Sequence, residues 1–136
     1  MAVCSEPEIL SMINRPGEYS YESGVTVLSA RPERAEGVLE VRDTNRNPLG
    51  TVHGGCLYAL ADTVAGTAVC SQGVGCVTAN GSMEFLRPAA GRQIRCVATP
   101  KKHGRLLSVM QVDLTDDEGR LVATGTFTYC VPALEK

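Results

Sequence analysis

This chain of 136 residues has no tryptophan and only 4% aromatic residues. It also lacks the short motifs that are typical of cofactor enzymes. It has no Cys-x-x-Cys pair, no histidine cluster and no phosphate-binding glycine loop, so we expect no metal and no cofactor. No apolar run of about 18 residues or more occurs, so no membrane-spanning segment is predicted. The first ten residues, MAVCSEPEIL, lack the basic and apolar regions of a secretory signal, which favours the cytoplasm.

Charge is nearly balanced, and a formal net charge of -2 gives no whole-molecule attraction to nucleic acid or to anionic membranes. The length fits a single domain, residues 1–136, that is large enough to bury one core. Six cysteines are scattered irregularly, several in apolar stretches, which indicates reduced thiols acting as small hydrophobic residues. They are Cys4, Cys56, Cys70, Cys76, Cys96 and Cys130.

The hydropathy pattern predicts a short helix, two strands, a loop, one long helix and four more strands. The long helix is apolar on nearly every side and has a single charge, Asp62, so it is predicted to be buried. The predicted segments are helix 5–14, strands 22–30 and 34–42, loop 43–53, helix 54–71, and strands 76–87, 93–99, 105–115 and 120–131.

Short connections that contain glycine join the last four strands, which predicts a meander of hairpins. An antiparallel sheet and one buried helix satisfy each other only if the sheet curls around the helix. The predicted class is therefore α+β, with a curved antiparallel sheet of five to six strands wrapped around one long central helix. The apolar face of the strand after the helix is expected to carry Val77, Ala79, Gly81, Met83 and Phe85. The apolar face of the last strand is expected to carry Leu121, Ala123, Gly125, Phe127, Tyr129 and Val131.

Two glycines, Gly54 and Gly55, stand where the loop meets the long helix. They predict bare backbone N–H groups at the positive end of the helix dipole, where an oxyanion forming from a carbonyl would be stabilised. The alternative is a glycine-rich helix start without any chemical role.

Polar side chains near this point have two interpretations each. Asp62 lies two turns into the helix, where a lone carboxylate is costly unless it is paired or used, so it is a candidate base. The alternative for Asp62 is a structural carboxylate that is hydrogen-bonded across a dimer interface. Asn47 fits an Asx turn before Pro48, and His53 fits a structural hydrogen bond as well as acid–base chemistry.

The residues from Asn47 to Asp62 form the pattern N-x-x-G-x-x-H-G-G-x-x-x-x-x-x-D, and residues 83–88 read M-E-F-L-R-P. This resembles the signature of the hotdog-fold acyl-CoA thioesterases of the PaaI type, and the resemblance covers residues 22–131. It implies a single hotdog domain that hydrolyses an acyl-CoA, or a related acyl thioester, to the free acid and the coenzyme A thiol.

Roles for individual residues follow from the resemblance. Asp62 would be the general base that activates water, or a nucleophile, while the Gly55 N–H would polarise the thioester carbonyl. Asn47 of the opposite subunit would position the water or the carbonyl, and His53 would hold the loop and the thiolate end. Thr78 would assist the water, unless it is an ordinary strand threonine. Substrate contacts are expected from Gly54, Leu57, Tyr58, Arg87, Pro88, Lys101, Lys102 and Arg105.

Gly55 and Asp62 are seven positions apart, which is about 10 Å along one helix. One carbonyl cannot contact both in the same chain, whereas a twofold dimer with antiparallel helices brings Gly55 of one subunit toward Asp62 of the other. The spacing therefore predicts an obligate homodimer with shared sites, and the resemblance implies a homotetramer.

Between positions 84 and 105 there are six basic residues and one acid, Glu84. The excess suits the phosphates of coenzyme A, and the alternative is a solvated hairpin face. The basic residues are Arg87, Arg92, Arg95, Lys101, Lys102 and Arg105.

Two other functions fit the same pattern. One is a hotdog hydratase or dehydratase, which needs a histidine and an acid that act on the acyl Cα–Cβ bond, and the positions of His53 and Asp62 are compatible with it. The other is a non-catalytic module that binds acyl-CoA in the same pocket, which would leave the charge of Asp62 without a purpose.

Overall fold

The structure, a computed structural model, describes residues 5–131. Its helices are α1 (Glu6–Ile13), α2 (Tyr19–Glu22) and α3 (Gly54–Cys70), with a short 3-10 turn at Asp43–Asn45. The strands are β1 (Val25–Arg31), β2 (Arg34–Glu40), β3 (Val77–Phe85), β4 (Gln93–His103), β5 (Leu107–Thr115) and β6 (Leu121–Cys130).

One antiparallel sheet contains all six strands, in the order β1-β2-β4-β5-β6-β3. The long helix α3 contacts every strand of it. Six strands laid flat would be about 24 Å wide, roughly twice the diameter of a helix, so these contacts require the sheet to curve around α3. The predicted architecture of a curved sheet wrapped around one central helix is confirmed.

Burial of α3 follows from its sequence, GGCLYALADTVAGTAVC, which has apolar residues on nearly every side. Leu60, Ala61, Val64, Ala65 and Ala68 have no exposed surface, and they form the centre of the hydrophobic core. The many small residues let the sheet backbone approach the helix closely.

The predicted meander of four strands is wrong for β3. This strand pairs with β6, at the edge of the sheet, while β4 pairs with β2. Residues 86–92 therefore cross the end of the sheet, and the buried Ala89 accepts a hydrogen bond from the Val52 N–H at 2.9 Å on the way. The crossing spans three strand spacings, about 14 Å, and seven extended residues reach about 23 Å, so even a short connection suffices.

A β-bulge at Ala79 corrects the predicted face of β3. Thr78 pairs with Tyr129 and Asn80 pairs with Thr128, so the extra residue shifts the register between them. The alternation expected from the sequence is therefore broken. Thr78 and Gly81 lie on the face toward α3, and Val77 does not.

We predict that Gly37→Ala destabilises the fold. A Cβ at Gly37 in β2 would lie 2.5 Å from Cγ2 of Val64 in α3 and 3.0 Å from the carbonyl oxygen of Thr26. Overpacking of this kind costs about 1–3 kcal/mol, and chemical denaturation monitored by circular dichroism measures the loss. Gly75→Ala is the matched control, since a Cβ there meets no atom within 4 Å. Equal midpoints for the two variants would contradict the close approach of β2 and α3.

Candidate functional site

The carboxylate of Asp62 is half-buried between α3 and the sheet, and side chains from two strands hold it. Its Oδ1 accepts hydrogen bonds from the Thr78 hydroxyl at 2.8 Å and from the Tyr129 hydroxyl at 2.9 Å. Within residues 5–131 its other oxygen, Oδ2, accepts no hydrogen bond. The arrangement fixes the direction of the carboxylate and leaves one oxygen able to accept a proton from water.

Tyr129 is a site residue that sequence reasoning did not assign a role. Its side chain is buried, and its hydroxyl lies 2.8 Å from the backbone oxygen of Asp62 in addition to the carboxylate. Burial, and then the negative charge of Asp62, raise the pKa of Tyr129, so it remains a neutral donor. The sequence held a signal, because a tyrosine on the apolar face of a strand needs a buried partner for its hydroxyl, and α3 offers one carboxylate.

At the start of α3, the expectation of a bare Gly55 amide is wrong for this structure. His53 is the N-cap, and its Nδ1 accepts a hydrogen bond from the Gly55 N–H at 2.8 Å. The Cys56 N–H donates to the His53 carbonyl oxygen at 2.9 Å. A structural hydrogen bond was one of the two interpretations of His53, but its partner was not predicted, because sequence preferences do not single out histidine as an N-cap.

Asn47 stabilises its own loop. Its Oδ1 accepts from the N–H groups of Leu49 and Thr51, both at 3.1 Å, and its Nδ2 donates to the Thr51 hydroxyl at 2.9 Å. These are the hydrogen bonds of the Asx turn that was the alternative interpretation. No hydrogen bond joins the side chains of Asn47 and Asp62 within one chain.

Two clefts meet at Asp62 and Thr78, which line both. The larger has a volume of about 510 Å³ and lies between α1, the C-terminal half of α3 and the segment before β3. The smaller has a volume of about 300 Å³ and lies along the N-terminal half of α3. A substrate centred on Asp62 can therefore extend in two directions.

The larger cleft is mainly apolar. Ile9, Met12 and Ile13 of α1 form one wall, and Val74 and Cys76 contribute from the other side. Asn14 anchors the end of α1, because its side chain exchanges two hydrogen bonds with the backbone of Val27, at 2.8 and 2.9 Å. Arg15 and Glu18, which follow α1, also line this cleft.

Gly55, Tyr58 and Asp62 line the smaller cleft, on one face of α3. Leu57 does not, since its side chain is only 3% exposed and packs in the core. Gly54 lies beside the ring of Phe85, which a Cβ at Gly54 would meet at 3.5 Å. The predicted contact from Tyr58 is thus available, whereas the one from Leu57 is excluded by burial.

The basic residues do not form one surface. Val77, Cys130 and Leu107 lie side by side, so Lys101, Lys102 and Arg105 belong to the sheet end where β3 begins. Arg87 and Pro88 follow β3 at the opposite end, near the start of α3, and Arg95 pairs with Glu36 at 2.9 Å. Successive connections of an antiparallel sheet lie at opposite ends of its strands, so β4 separates Arg87 from the basic residues near its other end.

Within the described part of the chain, no group of three or more His, Cys, Asp or Glu side chains is arranged to hold a metal ion. No helix among residues 5–131 is long and apolar enough to cross a membrane.

An antiparallel sheet wrapped around one long helix defines the hotdog class of folds. The hydrogen-bonded carboxylate of Asp62, where two clefts meet, forms a site that is suited to hydrolysis. The profile of the thioesterase superfamily matches residues 49–123. Acyl-coenzyme A thioesterase 13 of Mus musculus is 33% identical over 121 residues, which cover 86% of each chain. The acyl-coenzyme A thioesterase PaaI of Escherichia coli is 29% identical over 101 residues, covering 74% of this chain and 72% of that protein.

A solved structure described as a hypothetical thioesterase protein with coenzyme A, from Streptococcus pneumoniae, superimposes with a TM-score of 0.78 at 28% identity. The match covers 87% of this chain and 95% of that one. The chain therefore belongs to the thioesterase superfamily, and the predicted resemblance to PaaI-like hotdog thioesterases is confirmed.

We predict that Tyr129→Phe changes how stability depends on alkaline pH. The folded-state pKa of Tyr129 is raised, so above about pH 10 only the unfolded chain loses this proton. The Tyr129 contribution is fully present below that pH and falls by about 1.4 kcal/mol per pH unit above it. Urea unfolding at several values between about pH 8 and about pH 11, a range that includes the ordinary tyrosine pKa, measures the free energy of unfolding of both proteins.

At neutral pH the variant should be less stable by about 1.5–3 kcal/mol, the value of a hydrogen bond to a charged group. Parallel pH profiles for the two proteins would contradict the contact between Tyr129 and Asp62.

Proposed function

We propose that this chain hydrolyses acyl-CoA thioesters, with Asp62 as the reacting carboxylate. The observation that carries the proposal is the position of Asp62, which lies where two clefts meet and is held by two hydroxyl donors on one oxygen. The family membership and the names of the relatives support the same chemistry.

Oδ2 of Asp62 is the oxygen that would act. As a general base it would take a proton from a water that attacks the thioester carbonyl, and as a nucleophile it would form an anhydride that water then opens. Thr78 and Tyr129 hold Oδ1 in both cases, so the side chain is already oriented before substrate binds. Both routes release the free acid and the coenzyme A thiol.

The oxyanion would be stabilised by the Gly55 N–H of a second subunit. In this structure that N–H donates to the imidazole of its own His53, so a thioester oxygen would replace Nδ1 as the acceptor. Gly55 and Asp62 of one chain are about 10 Å apart along α3, which is why a partner has to supply the amide. Asn47 would act from the partner as well, through the ordered loop that it closes.

Support for a homodimer comes from β3, which is an edge strand with unpaired backbone groups on one side. Apolar residues at and just after this edge are exposed: Val77 by 60%, Phe85 by 48% and Leu86 by 53%. An antiparallel copy of β3 would cover them and place the two α3 helices side by side. A homotetramer and a cytoplasmic location belong to the same proposal.

We assign the acyl group to the larger cleft and the coenzyme A arm to the smaller one. The larger cleft has an apolar wall, formed by Ile9, Met12 and Ile13, and enough volume for an aryl or medium-length alkyl group. The smaller cleft leads along α3 toward its N-terminus and the end of the molecule where Arg87 lies.

Thiol release from a panel of aryl, short-chain and medium-chain acyl-CoAs tests the function. Asp62→Asn should lower kcat by about 10²–10⁴-fold, the usual contribution of a positioned base. Asp113→Asn is the matched control, because Asp113 is exposed on β5 and contacts Thr124 on the outer side of the sheet. Wild-type turnover in Asp62→Asn would refute the role of this carboxylate.

The same panel separates the two alternative functions. With crotonyl-CoA, a hydratase adds water to the double bond without releasing thiol, and a binding module gives a dissociation constant without any product. Either result would replace hydrolysis as the function.

A second prediction concerns the coenzyme A end of the site. Arg87→Ala should raise KM for acyl-CoA severalfold and leave KM unchanged for the corresponding N-acetylcysteamine thioester, which has no phosphates. The comparison variant neutralises Lys101, Lys102 and Arg105 together. If that variant raises KM for acyl-CoA and Arg87→Ala does not, the nucleotide lies at the opposite end of the sheet and the two clefts exchange roles.

A further inference from the structure

Cys70 and Cys76 form a pair of thiols in the wall of the larger cleft. Their sulfur atoms are 3.3 Å apart, and both residues are free cysteines that are half-buried. This differs from Cys56 and Cys96, which are buried and behave as the small hydrophobic residues expected from the sequence. Cys4, for which the same expectation was made, lies outside the described residues.

Access to the pair is open, because both cysteines line the larger cleft together with Asp62 and Thr78. A small solute that enters the cleft for the acyl group therefore meets the two sulfur atoms. The site is also separate from the proposed catalytic contacts, since neither sulfur is hydrogen-bonded to the Asp62 carboxylate.

The backbone between the two cysteines can move enough to bring the sulfur atoms together. Cys70 ends α3, and Cys76 precedes the first residue of β3, Val77. The segment between them contains Gly73, which has a φ of 89°, and Gly75, beside which a Cβ would meet no atom. A disulfide requires the sulfurs to approach to about 2.05 Å, and a short loop with two glycines can supply that movement.

The two thiols differ in acidity. A hydrogen bond from the Cys76 thiol lowers the pKa of Cys70 and outweighs the effect of burial. The same interaction, together with burial and the negative charges of Cys70 and Asp62, raises the pKa of Cys76. The Cys76 thiol also donates a hydrogen bond to the Gly66 carbonyl oxygen at 3.7 Å, and this contact needs the Cys76 proton. Cys70 is therefore assigned as the first nucleophile, and Cys76 keeps its proton until a base removes it.

We propose that Cys70 and Cys76 are a dithiol site that reacts with low-molecular-weight disulfides entering the larger cleft. The Cys70 thiolate attacks one sulfur of the small disulfide, the S–S bond breaks, and one thiolate leaves. That thiolate takes the proton of Cys76, whose sulfur then attacks the sulfur of Cys70 and expels the second thiolate, which takes a proton from water. Two protein thiols are oxidised to one disulfide, and the small disulfide is reduced to two thiols.

Glutathione disulfide and the full-length protein test the site. After incubation and alkylation of the remaining thiols, the wild-type mass should show two fewer alkylated cysteines, the loss of two hydrogens and no bound glutathione. A peptide map should contain Cys70 linked to Cys76. A disulfide between other cysteines, or a stable glutathione adduct on the wild type, would overturn the proposal.

Single variants assign the order of attack. Cys76→Ser should accumulate one glutathione on Cys70, since the second step has no nucleophile, and Cys70→Ser should remain largely unmodified. Cys130→Ser is the control and should behave as the wild type does. If Cys76→Ser gives the same disulfide product as the wild type, the pair is not the reacting site.

The disulfide would also affect turnover, a consequence that rests on the proposed function. Cys76 is two residues before Thr78, so closing the bond pulls on the strand that holds Asp62 and narrows the end of the cleft. Complete oxidation should lower kcat severalfold, and dithiothreitol should restore it. The kcat of Cys70→Ser should be the same before and after the oxidation treatment. An unchanged rate in the oxidised protein overturns this coupling, whereas a lack of activity in the reduced protein refutes the proposed function alone.

Discussion

The two hydroxyl groups that meet Oδ1 of Asp62 are the contact on which the site depends. A carboxylate in a helix that is otherwise apolar loses water on folding, and it is tolerated only if hydrogen bonds replace that water. Thr78 from β3 and Tyr129 from β6 replace it from two neighbouring strands. Because these strands pair with each other, the same contact ties the middle of α3 to the edge of the sheet. The position of the carboxylate is thus determined by the fold rather than by a mobile loop.

The bulge at Ala79 is what makes this contact possible. In a regular strand Thr78 and Gly81 would point to opposite faces, since successive residues alternate. The extra residue puts both on the face toward α3, so that Gly81 leaves room for Phe127 while Thr78 reaches Asp62. A Cβ at Gly81 would lie 2.5 Å from the Phe127 ring, which shows how closely the strands and their side chains fit here.

The sequence was a good guide wherever a local pattern decides the outcome. The apolar character of residues 54–71 predicted a buried helix with one carboxylate, and alternation in the last strand placed Tyr129 inward. It failed where the answer depends on residues far apart in the chain. The glycine-containing connection at 86–92 looks like a hairpin, yet β3 pairs with β6, which begins only after 35 intervening residues (86–120). The pairing of Cys70 with Cys76 likewise depends on how the segment with Gly73 folds back, and not on spacing.

Geometry at the start of α3 is the reason why the proposed mechanism draws on a second subunit. The amide of Gly55 is aligned with the helix dipole, but it already donates to His53, and it is two helical turns from Asp62 in the same chain. Loss of the hydrogen bond to His53 is favourable only if a stronger acceptor replaces the imidazole, and an oxyanion accepts a stronger hydrogen bond than an imidazole nitrogen does. In an antiparallel pair of helices that acceptor would form beside Asp62 of the other subunit. The histidine would then keep the amide satisfied in the free protein and release it as negative charge develops on the substrate.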